Sequence, residues 1–523
     1  MVLPNPFTEE QKCEEIFRRT TTRDPSGRYS VSFPFKTNPS VLGDSRSMAL
    51  SRFYNLERKL IADPIIYEEY KSFMNEYLQL GHMKLAQTPG NYIIPHHAVV
   101  KRTNGKIKLR VVFDASATTS SGTSLNKLLF TGPKLQCDIA DLLLRCRFHV
   151  YMLTADICKM YRQIQVSPAE CSYQHILWRN DPSESIQEYA LSTVTYGVSS
   201  SPFQAIRVLH QLELDEGSKY PAAQGVLSSQ TYVDDIIAGA ASVEQMVTLQ
   251  KQLIGLLGQG QFELKKWASN CRQALQNIPK DDQVVELSFD PKDDCSIKIL
   301  GLHWDPANDI FSYHCDPCVS RPTKRSVLSA IAKIYDPLGA LSPITFWAKC
   351  FMQTLWKNAY EWDQPIPDEL ASSWNSFSTQ LPSVSQVKIR RHIPIEQCTD
   401  VQLLGFSDAS QKGYSAVVYM RLSYASKPGT VHLLTARSKV APLKNSRLDE
   451  SLSIPRLELC GALLLAQTLH RVQNALSSIT HISSIHAWTD STMVLSWLTT
   501  QQVTFKVFVT NRLNKIGELL PSV

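Results

Sequence analysis

Thr231-Tyr232-Val233-Asp234-Asp235-Ile236-Ile237-Ala238-Gly239 sets two adjacent carboxylates in the middle of an otherwise apolar, β-forming run. Strand-forming residues on both sides of so short a polar interruption predict a tight hairpin with the acids at its turn. Like charges at short range, partly removed from water, oppose their own ionisation. A divalent cation removes that penalty, and hard oxygen ligands suit magnesium. A bare Asp-Asp pair is better read as a polar turn, so the metal reading needs a third acid.

Asp156 supplies one, in Leu153-Thr154-Ala155-Asp156-Ile157-Cys158-Lys159-Met160-Tyr161-Arg162-Gln163-Ile164, where an apolar run ends on a carboxylate ahead of a helical pattern. Between the two acidic stretches lies Thr195-Tyr196-Gly197-Val198-Ser199-Ser200-Ser201-Pro202-Phe203-Gln204. One Asp at a strand end, a Gly-x-x-x-x-Pro segment and a Tyr-x-Asp-Asp hairpin, in that order, resemble the reverse transcriptases.

The resemblance implies a right-hand polymerase of fingers, palm and thumb. Asp156, Asp234 and Asp235 would hold two Mg2+ ions, with Mn2+ as the alternative. One ion would activate a primer 3′-hydroxyl and the other would neutralise the triphosphate and its pyrophosphate leaving group. Tyr161 would be the gate that clashes with a ribose 2′-hydroxyl, its plainer reading being a core tyrosine. Tyr196, Gly197 and Gln204 would line the nucleotide site. Lys101 and Arg110 would contact the triphosphate, the arginine through forked bonds; alone, either is a solvated surface charge. Phe262-Glu263-Leu264-Lys265-Lys266-Trp267-Ala268-Ser269-Asn270 resembles the segment that places a lysine near the leaving group. Lys265 is assigned to that role, with the choice between it and its neighbour left open. Leu300-Gly301-Leu302-His303-Trp304 resembles the primer grip.

The rest of the chain extends the pattern. From Asn91 to Ala115 the text is β-rich, with Tyr92–Ile94, Ala98–Val100 and Leu109–Phe113 as strands and a turn at Asn104-Gly105. Residues 1 to about 88 read as mostly helical, and Arg321–Trp362 as helical and aromatic. Strands are expected at Val401–Ser407, Tyr414–Met420 and Val431–Thr435, a helix at Pro455–Leu476 and a strand at Ile485–Thr489, a compact α/β order. Asp408, Glu458 and Asp490 fall at strand ends and at the helix start. Separately, Glu458 reads as a first-turn acid favoured by the helix dipole and Asp490 as an N-cap. Together they resemble RNase H, in which two metals bind the scissile phosphate of RNA in an RNA–DNA hybrid and activate a water. The chain stops at Val523, before the region that supplies a fourth acid in that family, so this domain is expected to be truncated and the chain to be the product of a truncated gene or a piece of a Gag-Pol-type polyprotein.

Tyr92-Ile93-Ile94-Pro95-His96-His97-Ala98-Val99, Leu109-Arg110-Val111-Val112-Phe113-Asp114-Ala115-Ser116 and Ile334-Tyr335-Asp336-Pro337-Leu338-Gly339-Ala340-Leu341-Ser342-Pro343 narrow the resemblance to BEL/Pao retrotransposons, over nearly the whole chain. The expected architecture is thus an α+β multidomain chain: a helical lead-in over 1–90, fingers and palm over 91–270, thumb and connection over 271–400, and a truncated α/β RNase H-like domain over 401–523. The Ile334–Pro343 region also resembles a segment known as the Pao retrotransposon peptidase (A17 type). An aspartic protease needs Asp-Thr-Gly or Asp-Ser-Gly, and the sequence has neither.

Bulk properties are compatible with this reading. A length of 523 residues suggests roughly three or four domains, and 43% hydrophobic with 20% charged residues is ordinary globular composition. A net charge of +6 permits a phosphate-bearing partner without requiring one. Lys388-Ile389-Arg390-Arg391-His392 is the densest basic cluster, either a duplex contact or a solvated patch. Twelve cysteines lack framework spacing and read as reduced thiols; Cys315 and Cys318 form a CxxC better read as a loop than as a zinc site. No apolar stretch approaches the ~20 residues that span a bilayer. The expected partners are an RNA template, a DNA primer, RNA–DNA hybrid and deoxynucleoside triphosphates, with no membrane. The expected location is the cytoplasm, within a virus-like particle, with the nucleus as a further destination. The rival readings are an inactive or domesticated nucleic-acid-binding remnant and an RNA-dependent RNA polymerase. Six intact acids speak against the first, and Tyr232-Val233-Asp234-Asp235 with the RNase H pattern against the second.

Overall fold

The computed structural model describes residues 8–103, 106–284, 296–317, 321–443, 453–500 and 505–521. The expected Asn104-Gly105 turn and Cys318 lie outside them. The chain is a mixed α+β multidomain protein with two compact units, one of residues 1–137, 155–236 and 247–267, the other of 138–154, 237–246 and 268–523. Among the described residues no helix is long and apolar enough to cross a membrane.

In the first unit the early residues are largely helical, at Glu9–Thr20, Arg46–Ile61 and Pro64–Gln79. Thr8 and Gln11 form a reciprocal capping box at the first of these, satisfying two orphan amide donors. Asp63 accepts from the Ile66 amide at 3.3 Å and Pro64 takes the first turn of the third, where its missing N–H is no loss. His96–Thr103 and Lys106–Phe113 pair antiparallel with Val99 opposite Arg110 and Lys101 opposite Lys108. Directly opposed and alternate residues share a face, so Lys101, Lys108 and Arg110 stand on one side of this ribbon. Tyr92–Ile94 is not a strand. Ile93 makes a single bridge to His175, and all three side chains are buried; burial, not ladder pairing, explains the apolar run.

Thr231–Tyr232, Asp235–Ala240, Tyr151–Ile157 and Leu264–Ser269 form a four-stranded sheet in that spatial order. In the second unit, Ile297–Ile299, Leu302–Asp305 and Ile310–Ser312 make an antiparallel meander joined by the distant strand Lys388–Arg390. A further sheet runs Thr430–Val440, Gly413–Ser423, Asp400–Ser410, Ser484–Thr489, antiparallel except for the last strand, which lies parallel to Asp400–Ser410.

The helix Ile454–Leu476 covers one face of that sheet. Leu457, Leu464, Leu465, Leu469, Val472 and Leu476 recur at i, i+3 and i+4 and are buried, the stripe a core-facing helix requires. From Leu464 onward they pack with Leu403, Val418, Met420 and Leu422, each fully buried leucine contributing roughly 2 kcal/mol. Period-two alternation directs Val401, Leu403 and Gly405 inward and Leu404, Phe406 and Asp408 to the other face.

The basic cluster is not a uniform surface patch. Lys388 and Arg390 are exposed, but Arg391 is 0% exposed. Its guanidinium grips both Asp309 oxygens at 2.6 and 2.7 Å and donates to the carbonyls of Cys146, His149 and Val150 at 2.5, 2.7 and 3.1 Å. A buried cation persists only when paired and fully bonded, and here it is both.

Candidate active sites

The first group of acids lies in the first unit. Thr231 pairs with Ile236 and Tyr232 with Asp235, leaving Val233-Asp234 as a two-residue turn. Val233 has φ +57°, a left-handed conformation that such hairpins normally give to Gly. For a β-branched residue the strain is on the order of 1–3 kcal/mol, a level usually found where function over-determines the backbone. The Ile157 amide donates to the Asp234 carbonyl at 2.7 Å, fixing the hairpin tip against the strand end that carries Asp156.

Burial, then the charge of Asp156, raises the Asp234 carboxyl above its ordinary range. Burial, then Asp234 and Asp156, pushes Asp235 up to about 6. The Lys266 ammonium opposes both shifts and sits 2.9 Å from Asp156 Oδ1. Of the two lysines left open by the sequence, Lys266 pairs with Asp156. Lys266 has φ +52°, and one left-handed residue in a strand breaks the alternation and re-aims its side chain. Unlike the second group below, these acids do not bring one oxygen each within 4.8 Å of one another.

Tyr161, in the short helix Met160–Gln163, is half-buried, and its hydroxyl is pushed up by burial and by the charge of Asp234, so it faces the acids. Tyr196 is half-buried, its ring 5.3 Å from Phe113 and its hydroxyl toward Tyr77. Gly197 has φ +99°, and a Cβ there would lie 2.0 Å from the Phe113 carbonyl oxygen, so only glycine fits. Gln204 does not belong with this group. It is 2% exposed, its amide donates to the Ser32 carbonyl at 2.8 Å and its oxygen accepts from Ser200 at 3.2 Å, so it holds the helix in place. Lys101 and Arg110 are exposed on their ribbon face, joined there by Lys108, which the sequence reading had passed over. Leu300-Gly301, in the expected primer grip, is a hairpin turn with φ +47° and +89°.

The second group lies in the second unit. Asp408 is near the end of Asp400–Ser410, Asp490 directly follows Ser484–Thr489, and the parallel pairing of those strands brings the two acids to the same sheet end. One oxygen each from Asp408, Glu458 and Asp490 lies within 4.8 Å of the others. Glu458 is 7% exposed, and its Oε2 is buried without a hydrogen-bond partner. Burial, then Asp490 and Asp408, raises its carboxyl. Three hard oxygen donors with one of them orphaned and desolvated fit a divalent cation. The plainer readings fail on position. Glu458 lies beyond the first helical turn, and the cap of Thr492–Thr499 is Ser491, whose Oγ accepts from Val494 at 3.3 Å.

Beside Asp408 is a cavity of about 430 Å3 walled by Gly339, Pro343, Phe346, Val417 and Tyr419. The Ile334–Pro343 motif thus packs against this sheet. Asp336 accepts from the Leu341 amide at 2.8 Å, and the Ala436 amide donates to Leu338 at 2.9 Å.

Residues 323–491 match the family model of the Pao retrotransposon-like RNaseH-like domain. That span contains Asp408, Glu458 and Asp490, and it begins within the stretch expected to be thumb and connection. No curated protein matches the chain by sequence. Two foamy viral protease–reverse transcriptase structures share the fold. The first, in complex with double-stranded DNA, has a TM-score of 0.52 and 14% identity over 85% of this chain and 66% of the other. The second, in complex with an RNA/DNA hybrid, has a TM-score of 0.52 and 12% identity over 86% and 52%. The chain therefore spans less than two thirds of the length of either viral protein.

Proposed function

We propose that this chain, a Pol-type protein of the retrotransposon and retrovirus kind carrying a Pao retrotransposon-like RNaseH-like domain, is an RNA-directed DNA polymerase. The observation that carries the reading is the meeting of Asp156 with the strained Asp234-Asp235 hairpin, beside Tyr161 and Lys266. Residues 91–270 would be fingers and palm and 271–400 thumb and connection.

Magnesium, when bound, would supply Lewis-acid activation of the primer hydroxyl and neutralise the triphosphate. Asp156, Asp234 and Asp235 would hold it, the raised carboxyls of Asp234 and Asp235 ionising as it arrives. Lys266, released from Asp156, would offer its proton to the departing pyrophosphate. Lys101, Lys108 and Arg110 would grip the triphosphate, and the Tyr161 ring would exclude a 2′-hydroxyl. Template and primer would be held mainly through phosphates, with little sequence preference and strong salt dependence.

A second activity is favoured by the orphaned Glu458 oxygen. Asp408, Glu458 and Asp490 would hold metal for cleavage of the RNA strand of an RNA–DNA hybrid. The match to an RNaseH-like rather than a peptidase description, with no Asp-Thr-Gly loop, favours this over proteolysis.

The test is magnesium-dependent extension of a DNA primer on an RNA template by the purified chain, beside Asp234→Asn and Asp235→Asn. Extension by the parent and its loss in both variants is expected. A folded, hybrid-binding parent that never extends would replace the reading with that of a binding remnant.

A further inference from the structure

The helix Pro64–Gln79 lies outside every motif discussed so far, yet two of its consecutive residues reach both walls of the candidate nucleotide pocket. Glu76 receives the ammonium of Lys159 and, at 3.3 Å, the Nη1 of Arg162. These cations flank Met160-Tyr161, and Lys159 itself has φ +51°, a backbone state that needs an outside restraint. Arg162 is pinned further over the Tyr77 ring at 4.5 Å and the Phe73 ring at 5.6 Å. Tyr77, 2% exposed, turns its hydroxyl to Tyr196 and its ring to Phe113 at 6.0 Å. Below them, buried His82 has both ring nitrogens unpartnered and is held neutral, pushed down to about 4 by burial and then by Arg162, Arg28 and Lys159. In this cationic neighbourhood Glu76 is the anion that both flanking cations share.

We propose that Glu76 is a positioning residue that sets selection between deoxyribo- and ribonucleotides, by clamping Lys159 and Arg162 so that the intervening Tyr161 ring cannot retreat from the sugar. This rests on the polymerase reading. Tyr161 touches the sugar, and Glu76 acts through it. Small displacements of a selecting group are expensive, up to roughly a hundredfold per ångström.

The experiment measures kcat/KM for a deoxynucleotide and its ribonucleotide in primer extension by the full chain and by Glu76→Gln, Tyr161→Ala and the double variant. The deoxy-over-ribo ratio is expected to fall about tenfold in Glu76→Gln, mostly through a lower ribonucleotide KM, and further in Tyr161→Ala. The double variant should match Tyr161→Ala alone, because a residue acting through another adds nothing once that other is gone. Lys159→Gln opens the clamp from its exposed partner and should reproduce Glu76→Gln, which covers the case in which Glu76→Gln does not fold. An unchanged ratio in a folded Glu76→Gln or Lys159→Gln, or losses that add fully to Tyr161→Ala, overturns the proposal while leaving the polymerase reading intact. A parent that extends with neither nucleotide overturns both.

Discussion

Replacing Glu458 by Gln should stabilise the metal-free protein. Glu458 forms two like-charge pairs, with Asp408 and with Asp490, at ligand-atom separations within 4.8 Å. Coulomb's law gives about 3.5 kcal/mol for such a pair at an effective dielectric of 20 and about 0.9 kcal/mol in water. Asp408 and Asp490 are exposed, so the lower figure applies, about 2 kcal/mol for the two pairs. A buried amide without a partner returns about 1 kcal/mol of that. The net gain is about 1 kcal/mol, a rise of roughly 2–4 °C in Tm for a unit of this size. Scanning calorimetry in EDTA reads it directly. Adding magnesium or manganese should reverse the order: at a hundred times Kd the parent gains about 2.7 kcal/mol, and the variant, short of one ligand, gains less. The raised Glu458 carboxyl sets the sign with pH. Repulsion exists only when that group is ionised, so the variant's advantage in EDTA fades as the medium becomes acid. A variant that melts below the parent in EDTA and responds equally to metal would refute the assignment of these acids as a cation site.

The remaining expectations concern other groups. Asp235, at about 6 in the folded chain against an ordinary 3.8, keeps its proton longer when folded, so metal-free stability falls as pH rises through that interval. Urea titrations across it should show the slope in the parent and a flatter profile in Asp235→Asn; equal slopes would deny the crowding of the acids. Arg391→Met strands Asp309 and three carbonyls and should cost roughly 3–5 kcal/mol by chemical denaturation. Lys388→Met and Arg390→Met should stay within about 0.5 kcal/mol, and similar losses at all three would restore the surface-patch reading. Lys266→Met should slow single-turnover extension about a hundredfold and Lys265→Met far less, and the reverse order would return the role to Lys265.

The sheet around Asp408 and the helix Ile454–Leu476 were legible because their apolar residues keep strict periods of two and 3.6, and those periods are what burial on one face imposes. The Asp234-Asp235 hairpin was legible for a related reason, as two polar residues inside a strand-forming run leave few alternatives. What escaped is set by contacts distant in sequence or by single backbone angles. Nothing in Leu264-Lys265-Lys266-Trp267 announces that Lys266 turns left-handed and pairs with Asp156. Arg391 reads as surface charge because its partners begin 82 residues upstream. Gln204, within a motif, looked available for a ligand, and only Ser32 at a separation of 172 residues shows that its amide is occupied. Glu458 was placed by pattern, but its desolvated oxygen, the strongest sign of a cation, belongs to packing alone.

Arg391 also gives the chain a schedule. The carbonyls it binds at Cys146, His149 and Val150 precede it by 245, 242 and 241 residues. At about 5–20 residues per second, a translating ribosome needs on the order of tens of seconds to cover that distance. Throughout that interval these carbonyls lack their donor, and a nascent chain halted before Arg391 carries them as an unfinished seam. The late arrival of one guanidinium thus makes the synthesis of Arg391, rather than emergence of the early segments, the event that closes this part of the molecule, and it marks the stretch upstream as the one a chaperone would need to shield.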